Sequence, residues 1–236
     1  MKTRSKALLL ALCAVLLVAA SVLGTMAYLT DTKTVTNTFT VGSVGIKLDE
    51  TDVDEYGEKV SETRVGANSY KLIPGRTYIK DPMVTVEAGS EAAYVRMIVT
   101  VKTIDQLKLA LPQKDTNGTA IAANAQYYTD LNSDSTADFV LEKLLDSSWN
   151  YNAWHFAGYS EHENTGIYEF RYKEVVARSE SETKLPALFE KIKVPGEIDN
   201  THLNYLKNVE IVVNAHAIQA DGFADAAAAW SAFDTP

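Results

Sequence analysis

The chain has 236 residues, with 22 basic side chains against 31 acidic ones and a single cysteine, Cys13. Residues 1–27 hold three bases and no acid, so residues 28–236 carry 31 acids against 19 bases, a formal balance of −12; such a surface repels nucleic acid and excludes it as a partner. With no cysteine after residue 13, disulfides are excluded as well, and the rest of the chain must be held by its core, by metal or by partners.

In chain order, Lys2, Arg4 and Lys6 precede an uncharged apolar run from Ala7 to Leu23, and Gly24-Thr25-Met26-Ala27 offers small residues to a peptidase. This is the layout of a secretory signal over residues 1–27, cut between Ala27 and Tyr28. The run is just short of a comfortable membrane span, so an uncut chain would stay anchored by its N-terminus with the rest outside. Leu12 is not the small residue expected before a lipoprotein acceptor cysteine, and Cys13 reads as part of the signal. Residues 28–236 read as a single domain.

A first strand follows, with Val35, Asn37, Phe39 and Val41 on one face and Thr34, Thr36, Thr38 and Thr40 on the other. After Gly42-Ser43 the apolar set moves to even positions, Val44, Ile46 and Leu48, which places a bulge or turn at the glycine. Asp49 to Lys59 is too polar to bury and reads as a loop. Pro74-Gly75 marks a turn, and Val84 and Val86 begin an apolar face. Ala93, Val95, Met97, Val99 and Val101 alternate with polar neighbours, which predicts a central strand with its odd face in the core.

Ile104, Leu107 and Leu111 predict a short helix stopped by Pro112; Phe139, Leu141, Leu144 and Leu145 suit a second, begun near Asp138. Strands resume over 149–159 and 166–177, joined through 160–166 as a hairpin. Pro186, Pro195 and Gly196 bracket an irregular crossing segment, 187–194. A late strand carries Val209, Ile211, Val213, Ala215 and Ala217 on one face, and an alanine-rich helix closes the chain at 224–233. The sum is an all-β fold: a two-sheet, jelly-roll-like sandwich with a few short peripheral helices.

Chemistry-bearing patterns are sparse. A zinc peptidase needs converging imidazoles and carboxylates, and no HExxH is present. The tightest grouping is His155, Glu161, His162 and Glu163, in which His155 and His162 share a metal only if they sit on paired strands. No serine lies in a G-x-S-x-G context, and no catalytic residue is assigned. Asp130, Asn132, Asp134 and Asp138 stand at positions 1, 3, 5 and 9 of an EF-hand-like loop, with the Thr136 carbonyl at position 7. Ser135 replaces the glycine of position 6 and Leu141 the acid of position 12, so the stretch reads either as a calcium site or as an Asx-rich turn with a helix N-cap. Trp149, Tyr151, Trp154 and Phe156 suit a carbohydrate platform or packing in the core or between subunits, one pair buried and the other partly exposed.

Three stretches, Gly24–Glu50, Leu72–Arg96 and Val213–Trp230, resemble in order the TasA and camelysin family of secreted matrix proteins of Gram-positive bacteria, processed by a dedicated signal peptidase. The resemblance implies a non-catalytic jelly-roll protein that polymerises into extracellular biofilm fibres. Its partners would be copies of itself, the signal peptidase and accessory matrix proteins. In such fibres the segment uncovered by signal removal completes a sheet of the next subunit by β-strand addition. Here the matching donor is Tyr28 to Val41, with Val35, Phe39 and Val41 as inward plugs and Asn37 in need of a hydrogen-bond partner. The same segment also reads as the first strand of its own sandwich, and the chain as a monomeric secreted or anchored binding module. Camelysin-like members have been classed as metallopeptidases, the third reading.

Overall fold

The computed structural model describes residues 43–111, 141, 144–146, 149–196, 198, 200–207 and 209–235, all within the compact unit Gly42–Pro236. Ten strands form the body: β1 Ile46–Val53, β2 Lys59–Val65, β3 Thr77–Ile79, β4 Met83–Val86, β5 Ala93–Lys102, β6 Trp154–His162, β7 Thr165–Tyr172, β8 Thr183–Lys184, β9 Lys191–Lys193 and β10 Glu210–Gln219. Three short helices accompany them, α1 Ile104–Ala110, α2 Asn200–Leu206 and α3 Ala226–Asp234. Among the described residues no helix is long and apolar enough to cross a membrane.

Two four-stranded antiparallel sheets, ordered β2-β1-β4-β8 and β10-β5-β7-β6, pack as a sandwich, and β3 and β9 form a small ribbon beside them. The expected all-β, two-sheet fold with peripheral helices is the one observed. Its centre is β5, whose odd residues Val95, Met97, Val99 and Val101 are at most 1% exposed because β10 and β7 flank it on both sides. Tyr168 and Phe170 of β7 and Val84 and Val86 of β4 close the core around this row.

Local chemistry accounts for the turns. β6 and β7 join through Glu163 and Asn164, both with positive φ (47° and 63°), the two-residue turn whose twist matches a hairpin. Asn164 also caps α1: its carbonyl accepts from the Ile104 amide and its side chain from the Asp105 amide at 2.8 Å. Between β1 and β2, the Asp54 carboxylate accepts from the amides of Tyr56 and Glu58, and Gly57 takes φ 78° against Tyr78. A Cβ on Gly57 would lie 2.6 Å from the Tyr78 backbone, so no other residue fits this turn without displacement.

One expectation fails here. Asp49 to Lys59 is not a loop: it holds the end of β1, the turn and the start of β2, a strand the alternation did not reveal. Its acids are tolerated because those that are not fully exposed find partners. Glu50, 6% exposed, meets Lys80 at 2.8 Å and Asn68, while Asp49 pairs with Arg64. The expected helix near Asp138 falls largely outside the described residues, although Leu141, Leu144 and Leu145 lie in the core.

Candidate functional site

The site follows from how the sandwich treats its edges. An exposed strand edge offers unpaired amides and carbonyls to any other chain, and proteins guard such edges with charge, bulges or brevity. β8 has only two residues. β6 is bulged between Phe156 and Gly158 and ends in Glu161 and His162. β2 carries Lys59, Glu62 and Arg64, and its pairing with β1 is irregular between Thr51 and Val53.

β10 has none of these defences. It runs for 10 residues, paired to β5 without a shift, and carries no charged residue after Glu210. Among the described residues no strand pairs with its outer edge. Facing it across the sandwich, Ile46 to Asp49 of β1 pair with β4 but lack β2, which reaches only Glu50 to Val53.

Burial registers the same gap. Ile211, Val213, Ala215 and Ala217 of β10 and Ile46 and Leu48 of β1 pack on the core yet remain only half-buried, whereas the matching row of β5 is sealed. On the opposite side the sandwich is closed: Leu185, Leu188 and Phe189 are buried, and Trp154 Nε1 donates to the Pro186 carbonyl at 3.0 Å. The open side is therefore the outer edge of β10, which passes close beside β1 along a seam and is unpaired among the described residues.

Two cavities lie along it, of ≈ 300 Å³ and ≈ 550 Å³, both bordered by Asn68, Lys80, Glu210 and Ile211. The smaller lies between Leu48–Glu50 and Glu210–Val213. At the other end of the seam the Ser43 carbonyl accepts from the Glu91 amide, beside Ala92, whose carbonyl accepts from Ala220. As β1 ascends in number β10 descends, so the two walls run antiparallel. Ser43 to Gly45 are held along the 87–91 turn by Glu87, Ser90 and Glu91.

The residues singled out from sequence distribute unevenly. Ala27, Tyr28, Val35, Asn37, Phe39 and Val41 lie outside the described residues, as do Asp130, Asn132, Asp134 and Asp138. His155 and His162 sit on the same strand, β6, seven residues apart, rather than on paired strands. At ~3.3 Å per residue they are roughly 23 Å apart and cannot share an ion. His162 is solvent-exposed beside Glu163, His202 lies on α2 and His216 on β10. Among the described residues no three His, Cys, Asp or Glu converge as a metal site. Of the four aromatics, Trp154, Phe156 and Trp149 are buried, Trp149 against Phe170, and Tyr151 alone is exposed, so no paired ring platform forms.

Sequence reasoning identified the inner row of β10 but not its exposed edge, and it missed the Lys80–Glu50 pair between the cavities. Comparison with protein-family models, curated proteins and solved structures finds no match.

Proposed function

We propose that this chain is an exported structural protein that polymerises into extracellular fibres, each subunit accepting the N-terminal strand of a neighbour, Tyr28 to Val41, into its β1–β10 seam. The observation that carries the reading is the unguarded 10-residue edge of β10 above a half-buried apolar row. Main-chain pairing along that edge would supply affinity, and the row below would take the alternating plugs Val35, Phe39 and Val41.

Two further points support it. A head-to-tail contact of this kind does not close on itself and propagates as a filament. The three stretches that resemble matrix-fibre proteins include both the strand to be donated and most of β10.

Electron microscopy and light scattering of chain 28–236 beside chain 42–236 test the reading. Filaments are expected from the longer chain alone. Identical filaments from both, or none from either at high concentration, would overturn it.

A further inference from the structure

The larger cavity lies beyond the Glu210 end of β10, where strand pairing alone does not reach. Its walls include Leu72, Ile192, Leu203 and Leu206, and its rim carries Lys71, Lys193 and Lys207 against Glu210. Lys71 and Lys207 have no carboxylate partner among the described residues, a local excess of positive charge on a chain whose exported part balances at −12. We propose, resting on the strand-acceptor reading, that this cavity is the socket for the first four residues of the incoming chain, Tyr28-Leu29-Thr30-Asp31.

Length requires a destination for those residues. The segment 28–41 has 14 residues and β10 has 10. With Val35 beside Ile211, as set out below, Thr34 stands at Glu210 and residues 28–33 overrun the edge by roughly 20 Å at ~3.3 Å per residue, Thr32 and Lys33 spanning the approach to the cavity.

Side-chain size sets the direction. Running parallel to β10, and therefore antiparallel to β1, the segment puts Phe39 beside Ala215 and Val41 beside Ala217, its bulk against the two small residues of the inner row. Val35 then lies beside Ile211. The reverse direction sets Phe39 against Val213 and leaves Asn37 and Val35 beside the alanines, where space is left unfilled. In the parallel register the overrun emerges at the Glu210 end and enters the cavity.

Chemistry then matches. Tyr28 and Leu29 are the apolar residues at the segment's tip, and the cavity floor is Leu203, Leu206 and Ile192. Asp31 is the only acid between residues 28 and 41, and the same register brings it level with Lys207, while Lys33, the only basic side chain of the segment, comes level with Val209 beside Glu210.

The test uses synthetic peptides 28–41 and 32–41, labelled at their C-termini, titrated into chain 42–236 and read by fluorescence anisotropy. The full peptide is expected to bind about tenfold more tightly. Lys207→Glu should weaken the full peptide about fivefold, leave 32–41 unchanged, and be compensated by Asp31→Lys in the peptide. Equal affinity of the two peptides overturns the socket and leaves the strand-acceptor reading standing. Failure of both to bind overturns both.

Discussion

Glu50 and Lys80 face each other at 2.8 Å with side chains 7% and 10% exposed, Lys80 at the border of both cavities and Glu50 at that of the smaller. Removing two charges from water costs several kcal/mol each, and the pair repays this only with its partners in place; Asn68 supplies a hydrogen bond to the second Glu50 oxygen. Lys80→Met alone should therefore lower the unfolding free energy by roughly 3 kcal/mol in urea titrations, while Lys80→Met with Glu50→Gln should recover most of the loss. Close by, burial alone would raise the Asp81 pKa, but the Thr51 amide and hydroxyl and the Arg64 guanidinium outweigh it and hold the carboxyl below its usual range. The unfolded chain then takes up this proton first. The stabilisation is full above the ordinary carboxylate pKa near ~4 and is lost as pH falls through the lower folded value. Asp81→Asn should flatten the acid limb of stability against pH below ~4.

At the scale of elements, α3 covers the outer face of the β5 sheet. Arg96, 4% exposed, meets both oxygens of Asp234 and lies 4.5 Å from the Trp230 ring and 5.0 Å from that of Phe233. Its Nε donates to His216 Nδ1 at 3.2 Å, which requires a neutral imidazole. Burial, then the Arg96 charge, lower the His216 pKa against the opposing pull of Asp234 and Glu169. Neutral His216 therefore contributes fully above the ordinary value near 6.5 and loses that contribution as pH falls through the lower folded one. Hydrogen-exchange protection of α3 should fall as pH drops below about 6.5 in the parent chain and stay level in His216→Asn. The unguarded element is β10. Ala215→Phe should place a ring where the incoming Phe39 would sit, leaving a folded monomer by circular dichroism that no longer scatters light as filaments.

At the scale of the whole molecule, a sandwich open along one seam should gain stability from its neighbour. The unfolding temperature of chain 28–236 should rise with protein concentration, while that of chain 42–236 should not, which differential scanning calorimetry would separate. Sequence alone determined the strands β5, β7 and β10 and the helices α1 and α3, because alternation and helical spacing are local signals that burial then enforces: these strands carry their apolar rows where the period-two pattern put them. It could not show that Asp49–Val53 is strand, since the hydrogen-bond donor and the ammonium that satisfy Glu50 lie 18 and 30 residues away. Nor could it separate His155 from His162 or bury Trp149, which depends on which strands pair. Above all, the inner row of β10 reads the same at an edge as at a centre. Whether a strand is guarded or open is a property of what lies beside it in space, and only the tertiary structure, which among the described residues leaves the outer edge of β10 unpaired, made that row a candidate site.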